Sequence, residues 1–313
     1  MTSSVTAFAP ASVSNVACGF DIMGFALDEP GDLVTVRLCK TPGVRITALH
    51  GFAEGLPLDV SLNTAGAPAA AMMRDFGKGR GIDIEVRKGF PAGGGIGSSA
   101  ASAVAAAVAL DALLGTRLPK SEILNYAIEG EKIASGGIHV DNLAPSLYGG
   151  FILVRGYHPI DIVRIPVPGG LWCAVISPDV VIRTKEAREI LPTSIPLDHV
   201  VMQTGNAAGL VAGLLLDDFE LIGRSLHDVI AEPVRGRLIP GFADMRSAAL
   251  AAGALGCSIS GSGPAMFALA SSRPVAEHAA IAMRTVLQER KLTCQSYVTG
   301  ISQRGAEIVN RST

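Results

Sequence analysis

The residues best suited to chemistry lie in one run, VRKGFPAGGGIGSSAASAVAAAVAL, from Val86 to Leu110. A strand-like segment enters a glycine-rich loop, and the loop passes directly into an alanine-rich helix opening near Ser98. That order of elements makes an anion cradle. Loop glycines let backbone N–H groups converge, and the helix start supplies orphan N–H groups and about half a positive charge. Ser98 and Ser99 stand at the entrance, where a hydroxyl can cap the helix or reach a phosphate or a Mg2+ ion. The loop is not a Walker A motif, because no Gly-Lys-Ser/Thr follows Gly93 at the required spacing. It is not a dinucleotide fingerprint either, since Ser98 stands where GxGxxG needs its last glycine. A tight turn whose serines only cap the helix is the competing reading. Gly93, Gly94 and Gly95 in succession, Gly97, and the paired serines favour phosphate.

Two further runs carry polar residues of interest. AIEGEKIASGG offers Glu129 and Glu131, and HVDNLAP offers His139, Asp141 and Asn142. A carboxylate on a helix face is usually a solvated charge, and a lone histidine is usually structural. His-x-Asp-Asn ahead of an apolar Ala-Pro turn is harder to explain by packing. Within it Asp141 can accept a proton at neutral pH and Asn142 cannot.

The elements that must position these groups are legible in outline. LVTVRL (33–38), IDIEVRK (82–88), GGFILVR (149–155) and WCAVISP (172–178) have the length and β-branched content of strands. Helices are expected over Ser98–Leu114 and from near Ser121, Asp198, Asp217 and Pro240. Irregularly ordered α and β elements argue for an α+β fold. The stretch from Gly156 to Gly170 is the best break, dividing the chain into halves 1–158 and 159–313.

Composition bounds the rest. The 313 residues carry 26 Lys plus Arg against 28 Asp plus Glu, a net charge of −2, so no cationic footprint points to nucleic acid or an anionic membrane. Hydrophobic residues make up 49%, with mean hydropathy +0.39, which describes a core-rich globular chain. Gly89–Leu110 and Ser247–Ser272 are charge-poor, but GGGIGSS and SGSGP interrupt them, so neither reads as a membrane span. The N-terminal residues show no signal-peptide pattern, and five widely spaced cysteines without a Cys-x-x-Cys pair suit reduced thiols in the cytoplasm. Glycine is in excess, at 36 where average usage gives about 22, so backbone must approach something closely in several places.

PAGGGIGSSAA resembles the second signature of the GHMP kinases, Pro-x3-Gly-Leu-Gly-Ser-Ser-Ala, with Ile96 for leucine. SVSNVACGFDIMGFAL near the N-terminus and CSISGSGPAMFAL (257–269) resemble the first and third signatures. With HVDNLAPSLYGG, TKEAR and EPVRGRLIPGF the likeness runs from about residue 8 to about residue 270. It is strongest to members acting on L-homoserine, in threonine biosynthesis. The resemblance implies a GHMP kinase fold, with an N-terminal half like domain 2 of ribosomal protein S5 and a ferredoxin-like C-terminal half. It also implies ATP and Mg2+ as cofactors and a small-molecule acceptor, in a chain that is commonly a homodimer.

Residue by residue, the resemblance implies that Pro91, Gly93, Gly94, Gly95, Ile96, Gly97, Ser98, Ser99 and Ala100 hold ATP, joined by Asn63 and Lys88 near the adenosine. Ser98 and Glu131 would ligate the metal. For the zwitterionic acceptor, Asn15 and Asp21 would grip the ammonium, Arg188 and Arg235 the carboxylate, and His139, Asp141 and Asn142 would border the hydroxyl. Arg183 lies close enough to exchange roles with Arg188. The hydroxyl proton goes either to Asp141 or, as the family alternative that this reading favours, to the γ-phosphate, with the enzyme acting by positioning and electrostatics. The N-terminal motif departs from the usual Gly-x-Gly-Phe-Asp, with Ala17 and Cys18 in place of the first glycine and its neighbour. Mevalonate, shikimate and sugars lack an ammonium and would leave Asp21 and Asn15 without a partner. A catalytically inactive nucleotide-binding module would be favoured by loss of Ser98 or Glu131, and both are present.

Overall fold

In the computed structural model, residues 3–312 are described, apart from the side chain of Ser135. Near the N-terminus the apolar residues form β1 (Ser4–Ser14), a strand buried along most of its length, which runs antiparallel to β2 (Met23–Cys39). β3 (Gly43–Gly51), α1 (Gly66–Phe76), β4 (Gly81–Lys88), α2 (Ser98–Leu114), α3 (Lys120–Ser135) and α4 (Val140–Tyr148) follow. The hairpin of β5 (Phe151–Tyr157) and β6 (Ile160–Ile165) precedes β7 (Trp172–Pro178) and a helical stretch. That stretch holds α5 (Thr184–Glu189), α6 (Leu197–Leu216), α7 (Phe219–Ser225), α8 (Glu232–Arg235) and α9 (Phe242–Ala251). β8 (Gly256–Ile259), β9 (Met266–Ala270), α10 (Arg273–Glu289), β10 (Cys294–Gly300) and β11 (Glu307–Ser312) complete the chain.

These strands make two sheets. The first has the order β11-β1-β2-β4-β3, with β5 also paired to β2 and β6 to β5. Only β3 and β4 pair in parallel within it, and the second sheet, β10-β7-β9-β8, is antiparallel throughout. One apolar cluster packs α1 to α4 onto the first sheet. A second joins that sheet to β7, β9, α6 and α7 through Phe25, Phe151 and Phe267, and a third packs α9 and α10 on the second sheet. In the middle cluster Phe25 stacks on Phe151 at 5.5 Å and meets Phe267 edge-on at 5.8 Å.

Where the sequence breaks, the fold interleaves. The expected boundary at 158/159 falls on the tip of the β5–β6 hairpin, so the first sheet keeps the chain through Ile165. β11 then returns to pair with β1, covering an edge that would otherwise be open. Residues 1, 2 and 313 of those two expected halves lie outside the described residues.

Helix α2 is the part of the fold that bears most directly on chemistry. It is apolar on all sides, and eleven of its seventeen residues are buried, so it lies inside the protein rather than on it. Small alanine side chains let it approach β1 and β2 closely. The two charge-poor stretches weighed as membrane spans are thus a loop plus this core helix, and the α9–β8–β9 segment. Among the described residues one helix, α6, is long and apolar enough to cross a membrane. Its inward face packs Leu210 and Leu214 into the second cluster and carries one buried polar residue, Gln203, while Leu197, Val201 and Leu216 face outward, more than 60% exposed.

Candidate active site

The loop between β4 and α2 owes its shape to its glycines. Gly93, Gly95 and Gly97 have φ of 73°, 84° and 70°, in the left-handed region that side chains avoid. Space forbids a substitute at Gly97 as well, where a Cβ would lie 2.2 Å from Ser12 Oγ. Three carbonyls of the loop are held from outside. Ser177 Oγ donates to Gly94 O at 3.0 Å, Ser260 Oγ to Gly95 O at 2.7 Å and the Ser12 amide to Ile96 O at 3.2 Å. Gly97 gives α2 no side-chain cap, so the first-turn N–H groups of this buried helix keep their capacity for an anion. Ser98 Oγ is buried and has no hydrogen-bond partner among the described residues, while Ser99 Oγ donates to Glu131 Oε2 at 2.8 Å.

The third glycine-rich motif packs against the first. A Cβ on Gly95 would stand 3.0 Å from the backbone of Gly263, and the Gly261 amide donates to Ser14 O at 3.0 Å. A cavity of about 360 Å³ is lined by this double loop, by Ser98, Ser99, Glu131, His139, Asp141 and Asn142, and by Asp21, Arg188 and Arg235. Residues more than 240 positions apart in the chain therefore share one chamber. Asn142 is fixed beside the loop, its Oδ1 accepting from Ser12 Oγ at 3.3 Å.

At the other end of the chamber opposite charges face each other. Asp21 forms a bidentate pair with Arg188, both N–O distances being 2.9 Å, and this pairing raises the Arg188 pKa. Arg183 is 78% exposed at its side chain and pairs with Glu186, so Arg188 is the arginine that turns inward. Arg235 is buried, donating to Ala187 O at 2.9 Å and Gly261 O at 3.3 Å. The Phe20 ring lies 4.9 Å from the Arg235 guanidinium and 5.8 Å from that of Arg188.

Asp141 is only 1% exposed; among the described residues its Oδ1 has no hydrogen-bond partner, and its Oδ2 accepts from the Asn15 amide at 3.3 Å. Burial, with the nearby Asp21 charge adding to it, pushes its carboxyl up from the usual 3.8 to about 7.

Three residues expected to touch a ligand have side-chain partners within the protein, and two of them, Lys88 and Asn15, also line the chamber. Lys88 forms a buried ion pair with Asp32 and donates to Ser98 O and Ser102 Oγ, both at 2.8 Å, so its ammonium supports the loop from behind. Asn63 accepts from the Ala65 amide at 2.9 Å and donates to Pro57 O at 2.8 Å, which shapes the entry to α1. Pro68 then sits within the first turn of that helix, where proline is tolerated. The Asn15 side chain donates to Gly261 O at 2.6 Å and accepts from the Asp21 amide at 2.9 Å, so it builds the loop that presents Asp21. Glu129 pairs on the surface with Lys132, as a solvated helix-face carboxylate should.

Other residues matter that sequence reasoning did not single out. Tyr157 on β5 donates to the Asp21 carbonyl at 2.6 Å, and Phe20, Ser12, Asp32 and Ser102 hold the groups named above. Phe20 lies inside the first motif and was within reach of a sequence argument. Tyr157 is 136 residues from its partner, and nothing local marks it.

A glycine loop feeding an uncapped buried helix, beside a chamber that holds acids and bases in opposition, defines a nucleotide-dependent phosphotransferase with a small-molecule acceptor. The family model for the GHMP kinases N terminal domain matches residues 63–150, and that for the GHMP kinases C terminal matches residues 210–288. The chain belongs to the GHMP kinase family. It is 45% identical to a homoserine kinase of Chlorobium phaeobacteroides, over 97% of this chain and 99% of that one. A homoserine kinase of Chlorobaculum tepidum is 44% identical over 98% of both chains. The crystal structure of homoserine kinase from Cytophaga hutchinsonii matches with a TM-score of 0.94 and 49% identity, covering 98% of this chain and 97% of that one. The expected α+β GHMP kinase fold is thereby established.

Proposed function

We propose that this protein transfers the γ-phosphate of ATP to the side-chain hydroxyl of L-homoserine, giving O-phospho-L-homoserine. Full-length identity of about 45% to homoserine kinases supports the acceptor. The single structural observation that carries the reading is the meeting of Asp21 with Arg188, Arg235 sharing the Phe20 ring with Arg188, in one chamber with the glycine loop. An α-amino acid brings an ammonium for the aspartate and a carboxylate for the arginines, and its hydroxyl extends from there toward the loop.

ATP phosphates fit the 93–99 loop, whose carbonyls are tied back and whose helix start is uncapped. Among the described residues no cluster of three or more His, Cys, Asp or Glu could hold a metal by itself. Mg2+ does not need one, since it commonly takes one or two carboxylates and completes its shell with phosphate oxygens and water. Buried Glu131 and the unpartnered Ser98 hydroxyl fit that role, with Ser99 bonded to Glu131 beside them. When bound, the ion would neutralise charge on the phosphates.

Asn142, held by Ser12, is a neutral group beside the loop and suits orienting the acceptor hydroxyl. Asp141 offers an unpartnered oxygen at a pKa of about 7, matched to accepting that hydroxyl's proton. His139, at the start of α4, lines the same side of the chamber and borders the acceptor. The test is a coupled assay with ATP, Mg2+ and a panel of hydroxyl acceptors. Phosphorylation of L-homoserine well above mevalonate, shikimate and sugars is expected, and activity confined to another acceptor would overturn the reading. In the same assay Asp141→Asn should lose about 100-fold or more in kcat. A loss of only a few-fold would return the proton to the γ-phosphate.

The outward apolar face of α6 supports a homodimer, to be checked by sedimentation equilibrium. Five unpaired cysteines fit a reducing cytoplasm.

A further inference from the structure

The loop that presents Asp21 is strained. Asn15, Val16, Ala17 and Asp21 have φ of 69°, 38°, 53° and 59°; asparagine and aspartate tolerate this left-handed region, but Val16 and Ala17 do not, and Ala17 stands where the family pattern has glycine. Such backbone persists only where its surroundings over-determine it. Part of that determination comes from α6. Gln203, 8% exposed on the inward face of that helix, donates through Nε2 to Cys18 O at 3.1 Å, in the middle of the strained loop.

The same side chain also holds the segment that leads to Arg235. Its Nε2 also donates to Asp228 Oδ1 at 3.0 Å, and its Oε1 accepts from the Val229 amide at 3.0 Å. Asp228, itself buried, accepts from the amides of Ile230, Ala231 and Glu232 at 2.8 to 3.1 Å. These bonds fix the entry to α8, the four-residue helix that ends in Arg235. One amide thus bonds both to the segment bearing Asp21 and to the turn that launches Arg235.

We propose that Gln203, acting with Asp228, is a positioning residue that sets the separation of Asp21 and Arg235, and so the grip of the acceptor site on a zwitterion. Gln203 touches no ligand; it acts through the two segments it joins. The inference rests on the amino-acid acceptor proposed above and deepens it.

The test uses the full-length protein with Gln203→Leu, which keeps the volume and removes the three bonds. KM for L-homoserine should rise at least tenfold, with KM for ATP within twofold of wild type. In hydrogen–deuterium exchange without ligand, amides of residues 16–22 and 229–235 should exchange at least tenfold faster, while those of 98–101 keep their wild-type rates. A merely structural residue would lower Tm and move both KM values together, or neither, and that result overturns the proposal. Unchanged exchange in both segments overturns it as well. Asp228→Asn, which keeps the shape and turns one acceptor into a donor, should accelerate the same amides, and it decides the matter if the leucine variant does not fold. A wild-type protein that ignores L-homoserine would defeat the acceptor reading alone, because the exchange pattern tests the positioning role without any substrate.

Discussion

Replacing Asp141 by asparagine should stabilise the ligand-free protein, and by an amount that grows with pH. The carboxyl is almost fully buried, one oxygen has no partner, and its neighbours Asp21 and Glu131 are acids. Folding therefore holds it protonated up to about pH 7, whereas the unfolded chain ionises it near 3.8. A carboxyl whose pKa rises on folding favours the native state below the unfolded value. That advantage is lost as pH rises through the folded one. Between about pH 4 and pH 7 this group costs the wild type at most ~1.4 kcal/mol per pH unit, an upper limit of roughly 4 kcal/mol over the interval. Asparagine keeps the shape and has no charge to bury, so its variant lacks this slope.

Urea denaturation of both proteins at pH 5, 6, 7 and 8, without nucleotide or acceptor, measures the difference. The stability gap in favour of the variant should widen from pH 5 to about 7 by roughly 1 to 3 kcal/mol and then level off. A gap that stays constant with pH, or closes as pH rises, would refute the burial argument. It would also remove the reason for treating Asp141 as a group poised near neutrality. The same substitution is expected to lose activity, so the site would gain stability where it gives up chemistry.

Three further perturbations test other parts of the site. Lys88→Met leaves Asp32 buried without its cation and should cost about 3 to 5 kcal/mol in chemical denaturation, part of which Asp32→Leu in the same chain should restore. If Lys88 instead contacts the nucleotide, stability will hold and only KM for ATP will move. Gly97→Ala places a methyl group against Ser12 at φ 70°, and should raise KM for ATP at least tenfold with a stability loss of about 1 to 2 kcal/mol by thermal melt. Asp21→Asn should raise KM for L-homoserine about 100-fold while KM for ATP stays within twofold, as steady-state kinetics would show.

Local patterns proved far more legible than long-range ones. The glycine loop and α2 could be read from the sequence because a glycine-rich turn opening into a helix is encoded within a dozen adjacent residues, and Ser98–Leu114 is helical as expected. Arg183 and Arg188 could not be separated by type. Helix α5 separates them, since its phase leaves Arg183 at the solvent-exposed start and turns Arg188 toward Asp21. Lys88, Asn63 and Asn15 show the opposite difficulty. They sit where the family pattern leads one to expect ligand contacts, yet their polar atoms are committed to Asp32, Pro57 and Gly261. A polar residue near a site and a polar residue that builds the site look alike until partners are known. Gln203 is the extreme case, for its bond to Cys18 spans 185 residues and its helix reads as simply apolar.

In the proposed acceptor site, the Asp21–Arg188 pair would tie specificity to stability. Without ligand the two side chains satisfy each other, so neither charge stands bare in a chamber that is partly shielded from water. An acceptor with only a carboxylate would take Arg188 and leave Asp21 unpaired beside Asp141, and one with only an ammonium would do the reverse. Either exchange replaces one pair with a pair and a bare charge. A zwitterion replaces one ion pair with two, and Arg235, already held in place by Ala187 and Gly261, adds a second donor for the incoming carboxylate. If the proposed acceptor site is right, discrimination against half-charged alcohols would follow from the pairing of Asp21 with Arg188 before the acceptor arrives, in addition to the hydrogen bonds that the acceptor itself makes.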